Sequence, residues 1–151
     1  MEKAPDFEAE STKGKIKLSE LLKKKDFVVL YFFPKAFTSG CTQELKRFVE
    51  LYQEFSKCNA EIIGVSNDKL DTQTKFSEKY GAQFPLIADP ELKVIDLYNA
   101  KSKVGKGASR ITYIIDKNMN IVSVLKSLKN AKEHADKSLE IIKSKNDKCN
   151  R

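Results

Sequence analysis

Cys41 opens a strongly periodic stretch and follows Pro34 by seven residues and Thr38 by three, in the string PKAFTSGC. From Thr42 to Ser56 the residues Leu45, Phe48, Val49, Tyr52 and Phe55 recur at the spacing of one helix face. The sulfur therefore belongs in the first turn of that helix. Unpaired N–H groups and the positive end of the helix dipole favour an anion there, which lowers a thiol pKa and enriches the thiolate. Thr38 is placed either to cap the helix or to set a hydroxyl beside the sulfur. Pro34 fixes the loop entry and brings no N–H. A cysteine so placed is a candidate nucleophile; the plain alternative is a small buried side chain behind a capping turn.

Other chemistries find little support. Three cysteines without CxxC, beside a single histidine, argue against zinc and haem sites and suit a reducing compartment. GKGASR lacks P-loop spacing. His134 falls in a charged, carboxy-terminal helix on the edge of its apolar stripe, which marks it as structural rather than as a base for a cysteine hydrolase. The formal charge of +7, from 28 basic and 21 acidic residues, would suggest nucleic acid if the lysines clustered. KKK at residues 23–25 is the one tight run; the remainder read as a solvated face, so no nucleic-acid partner is expected. MEKAPDFEAES has no apolar signal core, and FVVLYFFP is too short to span a bilayer. A cytoplasmic protein with no membrane partner is the expectation.

The elements that must hold Cys41 alternate. Phe27 to Phe33 reads as a strand buried on both faces, ending at Pro34. Glu61 to Ser66 is a second strand, followed by a helix from about Asp71 that Gly81 stops. Phe84 to Ala88 is a third short strand, and Asp89-Pro90 turns into a short helix bearing Leu92, Ile95 and Tyr98. RITYIID and MNIVSVL form an antiparallel hairpin, and a last helix runs from about Ala131 to Lys143. One domain over 1–151 is implied, with a loose tail from about 144 to 151. The pattern is α/β, a mixed central sheet flanked by helices in three layers. Thioredoxin-like is the natural candidate, though periodicity alone does not separate it from other three-layer folds.

FFPKAFTSGCTQE resembles the peroxiredoxin active-site loop: Pro34, Thr38 and Cys41 meet its PxxxTxxC pattern. Cys41 to Glu44 is similar to the Cys-Thr-x-Glu string of the bacterioferritin comigratory protein group, peroxiredoxin Q. APDFEAES, AEIIGVSND, FPLIADPE and SRITYIID follow in family order. The resemblance implies a thioredoxin-like fold and a peroxidase working on hydrogen peroxide or organic hydroperoxides. In it Cys41 is the attacking cysteine, Thr38 hydrogen-bonds the peroxide, Pro34 shields the pocket and Arg110 is the active-site arginine. Glu44 either orients Arg110 or only solvates the helix. The attack leaves a sulfenic acid, with no metal, haem or flavin as cofactor. An external thiol must then restore the cysteine: a thioredoxin-like or glutaredoxin-like protein, or a small thiol. A monomer or weak homodimer is expected. The rival readings are a thioredoxin-like disulfide oxidoreductase, against which the lack of CxxC speaks, and a basic interaction domain without activity.

The pattern departs from the family at Lys46, where many members carry a resolving cysteine, and at Ala36 and Ser39, in place of Asp and Pro. Cys58 and Cys149 remain as possible resolving residues. A helix rising 1.5 Å per residue sets Cys58 roughly 25 Å from Cys41, far beyond the ~7 Å Cα limit of a disulfide. Cys58 reads as a buried structural thiol. Cys149, in the tail, either reaches a Cys41 or is a bystander. One-cysteine behaviour is the expectation.

Overall fold

The central strand decides the architecture. In the computed structural model, which describes residues 2–146 and 149, β3 (Phe27–Phe32) has every side chain buried. Phe27, Val29 and Tyr31 pack with one apolar cluster, and Val28, Leu30 and Phe32 with another. A strand covered on both faces needs a layer above and below. On the first face lie α2 (Ser39–Lys57), α3 (Leu70–Tyr80) and α5 (Glu133–Lys145), through Leu45, Phe48, Phe55, Phe76 and Leu139. On the second lie α1 (Leu18–Leu21) and α4 (Lys93–Leu97), through Leu18, Val94 and Ile95.

With β1 (Glu8–Ser11) and β2 (Gly14–Lys17) at one edge, seven strands form the sheet in the order β2-β1-β5-β4-β3-β6-β7. β3, β4 (Ala60–Ser66) and β5 (Leu86–Ala88) are parallel, and β6 (Ile111–Asp116) runs antiparallel to β3 with Phe32 opposite Ile111. β7 (Ile121–Leu125) completes a hairpin with β6, its register shifting between Ile114 and Ile115. The carboxyl ends of β3 and β4 and the start of β6 therefore meet at one edge of the sheet. Gly64 on β4 permits the packing beneath it: a Cβ there would come within 2.8 Å of the Tyr31 ring and of Leu86.

The mixed three-layer α/β fold agrees with the expectation, with four local differences. β1 (Glu8–Ser11) and β2 (Gly14–Lys17) form an edge hairpin that the sequence hides, because EAES and GKIK are largely exposed and carry no apolar alternation. β5 begins at Leu86 rather than Phe84, since Pro85 has no N–H to donate and contributes only its carbonyl, to Gly64. α2 begins at Ser39 rather than Thr42, placing Cys41 third in the helix. At the carboxyl end α5 extends through Lys145, so residues 144 and 145 of the expected tail are helical. Residues 147, 148, 150 and 151 of that tail lie outside the described residues.

Candidate active site

Pro34 ends β3 and forces the chain off the sheet, and the loop it opens is held from beneath. The Ala36 N–H donates to Asp68 Oδ2 at 2.8 Å, and Asp68 also accepts from Ser66 Oγ at 2.7 Å. Phe37 follows with a left-handed backbone (φ 67°) and lays its ring against Phe76 at 5.0 Å. Thr38 is the N-cap residue of α2, but its side chain makes no cap bond. Its hydroxyl donates instead to the Lys35 carbonyl at 2.7 Å, so of the two roles offered by the sequence the cap is not taken. That commitment spends the hydroxyl hydrogen and leaves the oxygen lone pairs as acceptors.

Cys41 is only 1% exposed. Arg110 reaches it from the residue before β6, Nη2 lying 3.4 Å from Sγ, while Nη1 donates to Glu44 Oε1 at 2.6 Å. The guanidinium thus bridges two positions one turn apart on α2. Gly40 makes room for it: a Cβ at that residue would sit 3.0 Å from Nη2. The Arg110 side chain is a quarter exposed and that of Glu44 fully buried. Burial drives the Glu44 carboxyl up to about 8 against the pull of Arg110. Burial opposes the charge of Arg110 too, but Glu44 and Cys41 outweigh it and hold the guanidinium protonated. Tyr31, stacked on Phe48 at 4.4 Å, has a buried hydroxyl without a hydrogen-bond partner, and burial with Glu44 and Cys41 nearby pushes its pKa well up.

Arg110, Thr112 and Ile114 point to the α2 and α5 side of β6, as alternation requires. Thr112 Oγ1 meets His134 Nδ1 at 2.8 Å, and His134, 1% exposed, is lowered to about 4 by burial and by Arg110. The histidine is therefore neutral near pH 7 and anchors α5 beside the arginine. Sequence alone had set it apart from the site. The sequence reading missed Asp68, for which the SND string at the end of β4 was an available turn signal, and Gly107. The latter (φ 99°) brings the 101–108 loop against Pro34, where a Cβ would meet Asn67 Oδ1 at 2.8 Å and the Pro34 carbonyl at 3.3 Å.

Cys58 and Cys149 do not join this cluster. They form a disulfide with each other at the far end of α2, with Cα atoms 4.5 Å apart, and Cys41 is the free cysteine. Asn146 Nδ2 donates to the Cys58 carbonyl at 2.7 Å, fixing the end of α5 there as well. Among the described residues no group of three His, Cys, Asp or Glu could hold a metal ion, and no helix is long and apolar enough to cross a membrane. A surface cleft of about 460 Å³ between β1 and the starts of α3 and α4 shares no residue with the Cys41 cluster.

The model of the AhpC/TSA family matches residues 1–124. Peroxiredoxin Bcp of Bacillus subtilis is 36% identical, over 97% of this chain and 96% of its own length. The chain belongs to the AhpC/TSA family of peroxiredoxins. A putative peroxiredoxin bcp of Helicobacter pylori strain J99 is 42% identical over 91% of this chain and 93% of the relative. Among solved structures, peroxidoxin BcpB of Mycobacterium tuberculosis superposes with a TM-score of 0.88 at 33% identity, covering 95% of each chain. The bacterioferritin comigratory protein of Xanthomonas campestris, described for alkyl peroxide reduction, gives 0.83 at 29% identity, over 92% of this chain and 91% of its own. This peroxiredoxin has the thioredoxin-like fold of its relatives and is a thiol peroxidase, acting on peroxide at the expense of a thiol reductant.

Proposed function

We propose that Cys41 is the attacking cysteine and that Arg110, Thr38, Pro34 and Glu44 serve it. The observation that carries this reading is the single guanidinium set against Sγ and Glu44 at once. An anionic sulfur beside a fixed cation is held for nucleophilic attack, and the same fork of donors can receive the charge that develops on the departing oxygen. Thr38 Oγ1, its hydrogen already given to Lys35, accepts the peroxide O–H and orients the O–O bond toward sulfur. Pro34 walls the loop without adding a donor. Attack forms S–O, breaks O–O and releases water or an alcohol, leaving Cys41 as the sulfenic acid. Glu44 keeps the arginine in place.

Recycling follows from the distances. Cys41 and Cys58 stand 17 residues apart along α2, about 25 Å at 1.5 Å per residue, and Cys149 is tied to Cys58. No cysteine of the same chain is in reach, so Cys41 works as a one-cysteine centre that an external thiol reduces. We read the protein as a cytoplasmic monomer or weak dimer.

Stopped-flow peroxide consumption tests the nucleophile: Cys41→Ser should lose rapid consumption entirely, and rapid consumption surviving in that variant overturns the reading. Peptide mapping without reductant, after one equivalent of peroxide, tests the recycling. It should show Cys41 trapped by dimedone as a sulfenic acid; a disulfide to Cys41 within the chain would refute it.

A further inference from the structure

The lysines that look scattered in sequence are gathered by the fold around Cys41. Lys35 lies in the loop after β3. Lys103 and Lys106 lie in the loop closed by the Lys101–Ala108 bridge, which leads directly into Arg110 and touches Pro34 through Gly107. Lys126 and Lys129 follow β7, whose Leu125 is in register with Thr112, and Lys132 is the N-cap residue of α5. All six are exposed. None has an ion-pair partner among the described residues; Lys101, at the base of the same loop, is paired with Asp96. The carboxylates of this edge are turned to other work: Glu44 on Arg110, Asp68 on the Ala36 N–H and Ser66, and Glu133 on the Asn130 N–H. Uncompensated positive charge thus rims the sulfur. Two exposed apolar side chains stand within the rim, Phe37 at 44% and Val104 at 86% exposure.

We propose that this rim is the docking surface for the protein that reduces Cys41, and that the partner is a dithiol protein with an acidic face around its own cysteines. The inference rests on Cys41 being the oxidised sulfur. Because no cysteine of the same chain can take the oxidation away from Cys41, the reductant must come to this edge itself and meet these lysines. Its first thiol displaces the sulfenic oxygen as water, forming a mixed disulfide with Cys41. Its second thiol then attacks the partner's own sulfur, so the partner leaves as a disulfide and Cys41 leaves as the thiolate. A partner that spans three loops answers a dispersed ring of cations with two apolar anchors better than a small anion does.

The chain has no tryptophan, so the tryptophan signal of an added thioredoxin reports on the partner alone. Protein oxidised with one equivalent of hydrogen peroxide is mixed with a reduced acidic thioredoxin, with neutral dithiothreitol, or with anionic glutathione. Salt is raised from about 20 mM to about 300 mM, which screens charges more than a Debye length apart. The thioredoxin rate constant should fall about tenfold, and the dithiothreitol rate should stay within about twofold. The double variant Lys103→Glu/Lys106→Glu should lose about tenfold with thioredoxin at low salt. Lys24→Glu/Lys25→Glu, with the same net charge but placed at the amino end of β3, should lose less than about twofold. Four outcomes overturn the proposal: failure of thioredoxin to reduce the protein, a rate indifferent to salt, equal losses in the two variants, or glutathione faster than thioredoxin with the whole salt dependence. If peroxide does not oxidise Cys41 at all, the preceding reading fails instead, and that is visible before any reductant is added.

Discussion

At Glu44 burial and a cation pull in opposite directions. Removal from water raises the carboxyl to about 8, and Arg110 at 2.6 Å works against that rise without cancelling it. A carboxyl near its ordinary 4.5 in the unfolded chain and near 8 in the fold takes up a proton on folding between those values. Its contribution to stability is whole below pH 4.5 and is lost as pH rises through about 8. Glu44→Gln keeps an acceptor for Arg110 and removes the titration. Urea midpoints at about pH 5, 7 and 9 should therefore show the variant gaining on the wild type as pH rises, by roughly 1–3 kcal/mol overall. A gap that does not change with pH would mean that the carboxyl is ionised throughout. Sequence left Glu44 between two roles because a residue three places after Cys41 sits at the border of the buried face, and only the path of Arg110 fixes which side it takes. Arg110 was named through the family resemblance; strand alternation sets it on the face opposite Ile111, and only the fold brings it to α2.

Between elements, the contact that sets β6 against α5 is Thr112 to His134. His134 is the reverse case of Glu44: its pKa is depressed from 6.5 to about 4 by burial and by Arg110, so the fold needs the neutral ring. The stability it contributes is complete above pH 6.5 and falls as pH drops toward about 4. Between pH 4.5 and 6.5 this slope opposes that of Glu44, so the wild-type profile conceals both. His134→Asn should remove the histidine slope alone. The ratio of wild-type to variant stability should then decline on acidification from about pH 7 to about pH 4.5, measured by urea unfolding with circular dichroism. Parallel curves for the two proteins would defeat the account. From sequence, the continuous apolar run of β3, the stop at Gly81 and the hairpin of RITYIID were readable because each is a local apolar or turn signal. The β1–β2 hairpin was not, since an exposed edge strand lacks that signal, and the start of α2 at Ser39 was not, since Ser39-Gly40 reads as loop. His134 seemed remote because its partner is a threonine 22 residues earlier, joined to it by the fold alone.

Across the whole molecule, three cysteines leave the pairing open, since an odd number forces no particular partner and Cys149 belongs to no periodic element. The lysine rim was hidden for the same reason: it comes from three loops that only the sheet order brings together. The Cys58–Cys149 disulfide closes a loop with a sequence separation of 91 and joins the carboxyl end of the chain to the end of α2. Cross-linking so long a loop restricts the unfolded chain, which in the chain-entropy account stabilises the fold by about 2–4 kcal/mol. Cys149→Ser is the cleaner probe, because Cys58 is fully buried and a hydroxyl there would carry its own cost. Under oxidising conditions this variant should be less stable by that amount, read from its urea unfolding curve. Excess dithiothreitol should bring the wild type down to the level of the variant while leaving the variant where it was. Peroxide consumption should change by less than about twofold, because the bond lies a whole helix from Cys41 and any coupling must pass along packed α2. Equal stability of the two oxidised proteins would show that the bond does not form in solution. A large loss of peroxidase rate in the variant would show instead that the two ends of α2 act as one unit, and that Cys149 serves the site after all.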